Sequence, residues 1–401
     1  MRNKRKAKII IFDMLLNLIG TGLPLLVLQL VVYPKVAQIS SEDSYGQMLS
    51  AMSVIYLVGG TLGGTLSTVR LVNNYDYESK KIEGDFKLIY FFNLIFVLIV
   101  TPVIVLIYYD GISLYHTILI TVICLLNCSQ NYLEVGYRLE INYKRIFINK
   151  LLTCIGYLIG YFIFIKTTSW EYIFIISYLL PVIQCLKSSK AVREQNVKTE
   201  LFSFTFRSFL LQGSASLLNK SLTYFDKLLL YPLLGGWAVS VYYVANIFGK
   251  MILKVLEPIN NVILSYLAKR KTVSSNVWKR TLVIGGSFCV VAYIICMLIS
   301  KPVIIYFYPQ WSEAAVELIP ICTVTLCVSA FISIITPLSL KTLSAFEQLL
   351  INGISLIVYI SLVIMLFRQF GLMGCSIALL VSYIAKLLTI LFLTKRMKKR
   401  E

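Results

Sequence analysis

Histidine is almost missing from this chain: His116 is the only one in 401 residues. One imidazole is too few for the multi-histidine metal centres of hydrolases, which need three or four ligands. Nine cysteines are present, but none sits in a CxxC pair and all lie in apolar segments, where they read as small core hydrophobes. No GxxxxGK[ST] sequence occurs, so no P-loop is available to hold a nucleotide. Charge is scarce as well, at 14% of residues against the usual quarter. Acidic residues are fewest, 19 against 38 Lys and Arg. Long polar stretches are lacking too, which leaves no room for a soluble domain. These absences leave a catalytic reading little to stand on. The chain reads as a non-enzyme, and no cofactor or metal is expected.

Apolar runs are what it has in abundance. Hydrophobic residues make up 58% of the chain and mean hydropathy is +0.79. Runs of 18 or more mostly apolar residues recur throughout, each able to cross ~30 Å of hydrocarbon as a helix. Twelve spans are predicted, at about 9–33, 47–69, 88–109, 112–133, 147–166, 170–187, 207–231, 238–266, 281–300, 314–338, 346–367 and 371–394. The fold class is therefore an all-α polytopic membrane protein. The excess of base, +19 overall, is uneven. When the gaps between spans are numbered, the odd ones hold only Lys35, Lys166, Lys301 and Arg368. Most other Lys and Arg lie in the even gaps and the two tails. Basic loops stay cytoplasmic, so both termini are expected inside. The charge is then a topology signal, and no nucleic acid is expected as a partner. The basic-then-apolar start resembles a signal peptide. Its apolar run is too long for one and no small-residue cleavage site follows, so it reads as a retained first span. Trp170, Trp237, Trp278 and Trp311 fall at span ends, as an interfacial belt would place them.

The longest cytoplasmic gap, "KSSKAVREQNVKTELFSFTF", lies at the chain midpoint. It divides the sequence into a six-helix lobe at 1–190, a linker at 191–206 and a second six-helix lobe at 207–401. A weak repeat supports the halves. The first span ends in Tyr33-Pro34 with Tyr45-Gly46 downstream; the seventh ends in Tyr231-Pro232 with Tyr242-Tyr243 downstream. An even number of spans per half makes this a parallel repeat, the kind whose lobes rock about a site between them.

Charges inside the spans are costly and mark function by default. The seventh span carries Lys220, Asp226 and Lys227 on one polar stripe with Asn219 and Thr223. The eighth carries Lys250, Lys254 and Glu257 at helical spacing. Asp13 lies in the first span, Lys386 in the twelfth, and Glu134 with Arg138 at i, i+4 in the fourth. In-helix ion pairs and snorkelling lysines are the simpler account of any one of these. Together the lysines outnumber the carboxylates, which suits an anionic ligand such as phosphate. The glycines of "GGTLGG" at 59–64 read as helix-packing positions.

The stretch "DKLLLYPLLGGWAVSVYYVANIFGKMILKVLEPINNVILSYLAKR" at 226–270 resembles the second half of bacterial polysaccharide flippases. These are the O-antigen or capsule repeat-unit translocases of the multidrug/oligosaccharidyl-lipid/polysaccharide exporter (MOP) superfamily. The resemblance rests on Asp226-Lys227, Gly235, Tyr242-Tyr243, Lys250 and Pro258-Ile259-Asn260. "TGLPLLVLQLVVYP", "YGQM" and "GLMGCSIALLVSYIAK" match in style. It implies a MATE-like fold of two parallel lobes in the bacterial cytoplasmic membrane. It implies ion-coupled alternating access that moves an undecaprenyl-pyrophosphate-linked oligosaccharide, with a polysaccharide polymerase and chain-length machinery as partners. On this resemblance Lys220, Lys227, Lys250 and Lys254 meet the pyrophosphate, with Arg70 and Lys386 as further candidates. Asp13, Asp226 and Glu257 balance the charge or bind the coupling ion. Two alternatives stand beside it. One is a drug or organic-cation antiporter of the same fold, whose cavity should be acidic. The other is a membrane polymerase or acyltransferase, which should carry a large outer loop or a catalytic histidine.

Overall fold

A computed structural model describes residues 16–253, 256, 275–343 and 345–398. Among them no strand occurs, as expected where lipid leaves the backbone no other hydrogen-bonding partners. The helices run α1 Leu16–Ile39, α2 Glu42–Val72, α3 Asn74–Lys80, α4 Asp85–Tyr108, α5 Leu114–Leu133, α6 Val135–Leu139, α7 Tyr143–Thr167, α8 Glu171–Ser188, α9 Lys190–Arg193, α10 Phe202–Ala245, α11 Ser275–Phe307, α12 Ser312–Thr342 and α13 Ala345–Lys398. Their ends follow local chemistry. Glu42 and Asp43 occupy the first turn of α2 and Arg70 its last, matching the helix dipole at both ends. Ser113 and Asn142 cap α5 and α7 by accepting backbone N–H groups.

Ten of these helices, α5 and α6 counting as one, are long and apolar enough to cross a membrane, against twelve predicted spans. The difference lies at two glycines. Helix α13 has 54 residues, about 80 Å at 1.5 Å per residue, far more than one crossing. Gly371 breaks it at φ 50°, ψ −130°, at the start of the twelfth predicted span. Gly235, at φ 80°, ψ 178°, likewise breaks α10 between the seventh and eighth predicted spans. Most of the eighth predicted span lies outside the described residues. Side-chain placement fits a multi-pass membrane protein. Helix α4 turns Phe92, Ile95, Phe96 and Ile99 outward and buries Asn93 and Thr101, with the polar groups inside and the apolar ones outside. The tryptophan belt needs correction: Trp170, Trp278 and Trp311 are buried, and only Trp237 is exposed. Trp170 meets Phe174 edge-on at 6.0 Å and Trp311 stacks on Tyr45 at 5.0 Å, while Trp278 packs among Ile332, Ile335 and Leu338.

The chain divides into two compact units. One holds Met1–Ser40 and Ala51–Lys220, the other Ser41–Ser50 and Ser221–Glu401. In the first unit, residues 191–206, read from sequence as a linker, are packed down. Arg70 at the end of α2 bonds Glu194 through Nε and Nη2, at 2.9 and 2.7 Å. Asp85 at the start of α4 accepts the Tyr77 hydroxyl at 2.6 Å, the Thr199 N–H at 2.7 Å and the Thr199 hydroxyl. The Lys87 ammonium donates to the carbonyls of Val192 and Glu194. Burial pushes the Glu194 carboxyl up against the pull of Arg70.

In the second unit, the short stretch 41–50 lies against the start of the helix that follows Gly235. Gly46 and Gly236 approach so closely that a Cβ on Gly46 would sit 1.9 Å from the Gly236 carbonyl oxygen. Tyr45 meets Tyr243 edge-on at 6.4 Å, so residues that correspond in the sequence repeat touch. Both Tyr-Pro pairs adjoin a helix irregularity. Val27–Val32 winds as a π-helix just before Tyr33-Pro34, and the Gly235 break follows Tyr231-Pro232. Proline supplies no N–H to the carbonyl four residues back, which permits such rewinding.

Candidate functional site: a carboxylate shared by two lysines

The second unit gathers three of the sequence candidates. Asp226 sits on α10, 2% exposed, in an apolar stretch of helix. Its Oδ1 accepts the Lys227 backbone N–H at 2.8 Å and lies 3.4 Å from the Lys227 ammonium. Its Oδ2 accepts from the Lys250 ammonium at 2.9 Å. Lys250 belongs to the helical stretch 247–253, so the carboxylate ties two helices. The ammonium of Lys227 lies 5.6 Å from the Tyr224 ring centre and that of Lys250 5.8 Å from Tyr242, close enough for cation–π attraction. Among the described residues, one carboxylate faces two ammonium groups, leaving one positive charge in excess. The Lys250 side chain is 21% exposed and that of Lys227 9%. Lys250 is thus the more accessible of the two lysines.

Other candidates fall elsewhere. Lys386 is buried on α13 at 8% exposure. Asp13, Lys254 and Glu257 lie outside the described residues. Arg70 belongs to the first unit, and its guanidinium is engaged. Besides Glu194 it donates to the Asn74 side-chain Oδ1 at 2.8 Å and stacks 4.7 Å above the Phe86 ring. In this structure Arg70 fastens the 191–206 segment through Glu194. Glu134 and Arg138 pair at 3.1 Å as their spacing suggests, but Glu134 also binds Lys150 of α7 at 2.7 Å. Sequence spacing missed Lys150, Asp85 and Glu194, since each partner comes from another helix or loop.

Lys220 lies in the first unit, seven residues before Lys227 on α10, and donates to the Gly60 carbonyl at 2.9 Å. Here the "GGTLGG" glycines separate into two kinds. A Cβ on Gly59 or Gly63 would meet α5 backbone, 2.6 Å from the Cys124 oxygen and 2.3 Å from the Cys128 oxygen. On Gly60 or Gly64 it would meet nothing closer than 3.4 Å, and the Lys220 ammonium would lie 3.9–4.0 Å away. The packing role read from sequence holds for the first pair only. Gly63→Ala should therefore lower thermal stability in detergent by several degrees, while Gly64→Ala should leave it near wild type. Equal melting of the two variants would contradict the division.

No protein-family model and no curated relative matches this chain. Solved structures do match. "Lipid II flippase MurJ, inward closed conformation" aligns at TM-score 0.67 and 18% identity, over 96% of this chain and 86% of that one. An outward-facing multidrug resistance MATE family transporter of the MOP superfamily aligns at 0.66 and 13%, over 96% and 95%. The Vibrio cholerae MATE transporter VcmN in its bent form aligns at 0.58 and 13%, over 96% of each chain. At such identities the likeness establishes the fold: this chain is similar in architecture to MATE and MurJ proteins.

Proposed function

We propose that this protein is a transporter of the MOP type. In this reading it moves an undecaprenyl-pyrophosphate-linked oligosaccharide across the bacterial cytoplasmic membrane, with both termini in the cytoplasm. The observation that carries the reading is the Asp226–Lys227–Lys250 cluster, a buried cationic group on apolar helices. A diphosphate carries more charge than one carboxylate and can engage both ammonium groups at once. Lys227 and Lys250 meet the diphosphate in this reading, and Lys220, Lys254 and Lys386 remain further candidates from the sequence. Asp226, with Asp13 and Glu257, balances the lysines or carries the coupling ion. The halves 1–190 and 207–401 act as the rocking lobes, and the rewound turns beside the two Tyr-Pro pairs supply give. The sugar is met by neutral side chains, and a polymerase with chain-length machinery takes the product on the far side.

A drug or organic-cation antiporter shares the fold, and it should present excess carboxylate, whereas this cluster presents excess ammonium. Export in cells separates the two. Lys250→Ala should cut surface polysaccharide at least tenfold while the protein still reaches the membrane, and lipid-linked repeat units should build up on the inner leaflet. Full export with Lys220, Lys227, Lys250 and Lys254 all neutralised would refute the reading. Restored resistance to organic cations with unchanged glycan would favour the antiporter.

A further inference from the structure

His116 and Glu171 form a pair that the proposed function does not use. His116 lies in the first turn of α5 and Glu171 is the first residue of α8. The imidazole Nδ1 is 2.6 Å from the Glu171 Oε1, with the His116 side chain 41% exposed and that of Glu171 1% exposed. The second carboxylate oxygen, Oε2, is buried without a hydrogen-bond partner. So nearly all of the stabilisation of this buried carboxylate comes from one imidazole and from the helix terminus it occupies. Above the pair, the Tyr115 and Tyr172 hydroxyls bond at 2.8 Å, and the Tyr115 ring lies 5.3 Å from the imidazole. Among the described residues no other ion pair involves His116 or Glu171.

This geometry has one consequence for protons. An ionised carboxylate only accepts, so while Glu171 is charged Nδ1 carries the proton between them and Nε2, on a side chain 41% exposed, is the nitrogen left to exchange one with solvent. With that proton, the buried carboxylate has a full counter-charge. Without it, the carboxylate is held by a neutral donor alone, and a buried charge so held is costly. Histidine is the side chain whose charge ordinarily changes between pH 5 and 8.

We propose that His116 and Glu171 form a proton-binding brace that joins the leading ends of α5 and α8 and tightens when the solvent at that face acidifies. By the distribution of basic residues, that face is the outer one. The brace stands whether or not the substrate proposed above is right.

The test uses the full chain in nanodiscs, where ¹⁵N-histidine labelling reports a single imidazole. Hydrogen exchange of residues 112–118 and 169–175, corrected for the intrinsic rate, is followed over the same pH range. In wild type the exchange of both ends should slow at least tenfold as the imidazole gains its proton, on one shared midpoint. His116→Gln, at a half-exposed position that tolerates change, should remove the pH dependence of exchange. Glu171→Gln, which keeps an acceptor but not the charge, should also remove the pH dependence of exchange. Pair-independent exchange would overturn the brace: the same pH dependence in His116→Gln, or wild-type exchange that ignores the titration. So would unchanged pH dependence of exchange in Glu171→Gln.

Discussion

Asp226→Ala is expected to lose both stable folding and transport. The change leaves the Lys227 and Lys250 ammonium groups without the carboxylate that serves both. Removing one partner of a buried ion pair costs about 3–5 kcal/mol, and here a single carboxylate serves two cations. Asp226→Asn keeps the shape but not the charge and should sit between alanine and wild type. Asp226→Ala with Lys250→Ala should be more stable than Asp226→Ala alone, since it removes one of the two stranded charges. Thermal unfolding in detergent, read beside membrane yield, measures this series. An Asp226→Ala protein as stable as wild type would mean that the carboxylate does not hold the lysines.

Arg70→Ala should be comparably damaging for a different reason. Both partners of the Arg70–Glu194 pair are buried, at 6% and 2% side-chain exposure. Truncating Arg70 strands Glu194, releases Asn74 and uncovers the Phe86 ring. The cost is again about 3–5 kcal/mol. Its visible result should be rapid proteolysis within 187–206, the segment the pair fastens. Arg70→Lys keeps the charge but not the planar fork and should recover only part of the loss. Replacing both partners with leucine should do less harm than either single truncation, because no buried charge is left alone. Wild-type resistance of Arg70→Ala to protease would show that the other contacts hold the segment unaided.

The residues that were legible from sequence share one property: their meaning is local. Asp226 beside Lys227, Glu134 four residues from Arg138, and the glycines of 59–64 all announce themselves by spacing along one helix. The apolar runs announce the spans in the same way, because a helix in lipid must satisfy its own backbone. What spacing could not supply was the third partner. Lys250 reaches Asp226 across 24 residues, Lys150 reaches Glu134 across 16, and Glu194 reaches Arg70 across 124. Each of these contacts depends on which helices pack together.

By itself the sequence therefore determined an all-helical membrane chain with a surplus of intramembrane cations, since burying charge in hydrocarbon is costly enough to be conspicuous wherever it occurs. Tertiary structure alone decided how those charges are shared. It assigned Arg70 to fastening the first unit and Lys227 and Lys250 to a common carboxylate. It also separated Gly59 and Gly63, which touch backbone, from Gly60 and Gly64, which leave space beside Lys220. The physical reason is range: hydrophobicity and helical period act within a span, whereas an ion pair or a close backbone approach exists only once two distant segments are in contact.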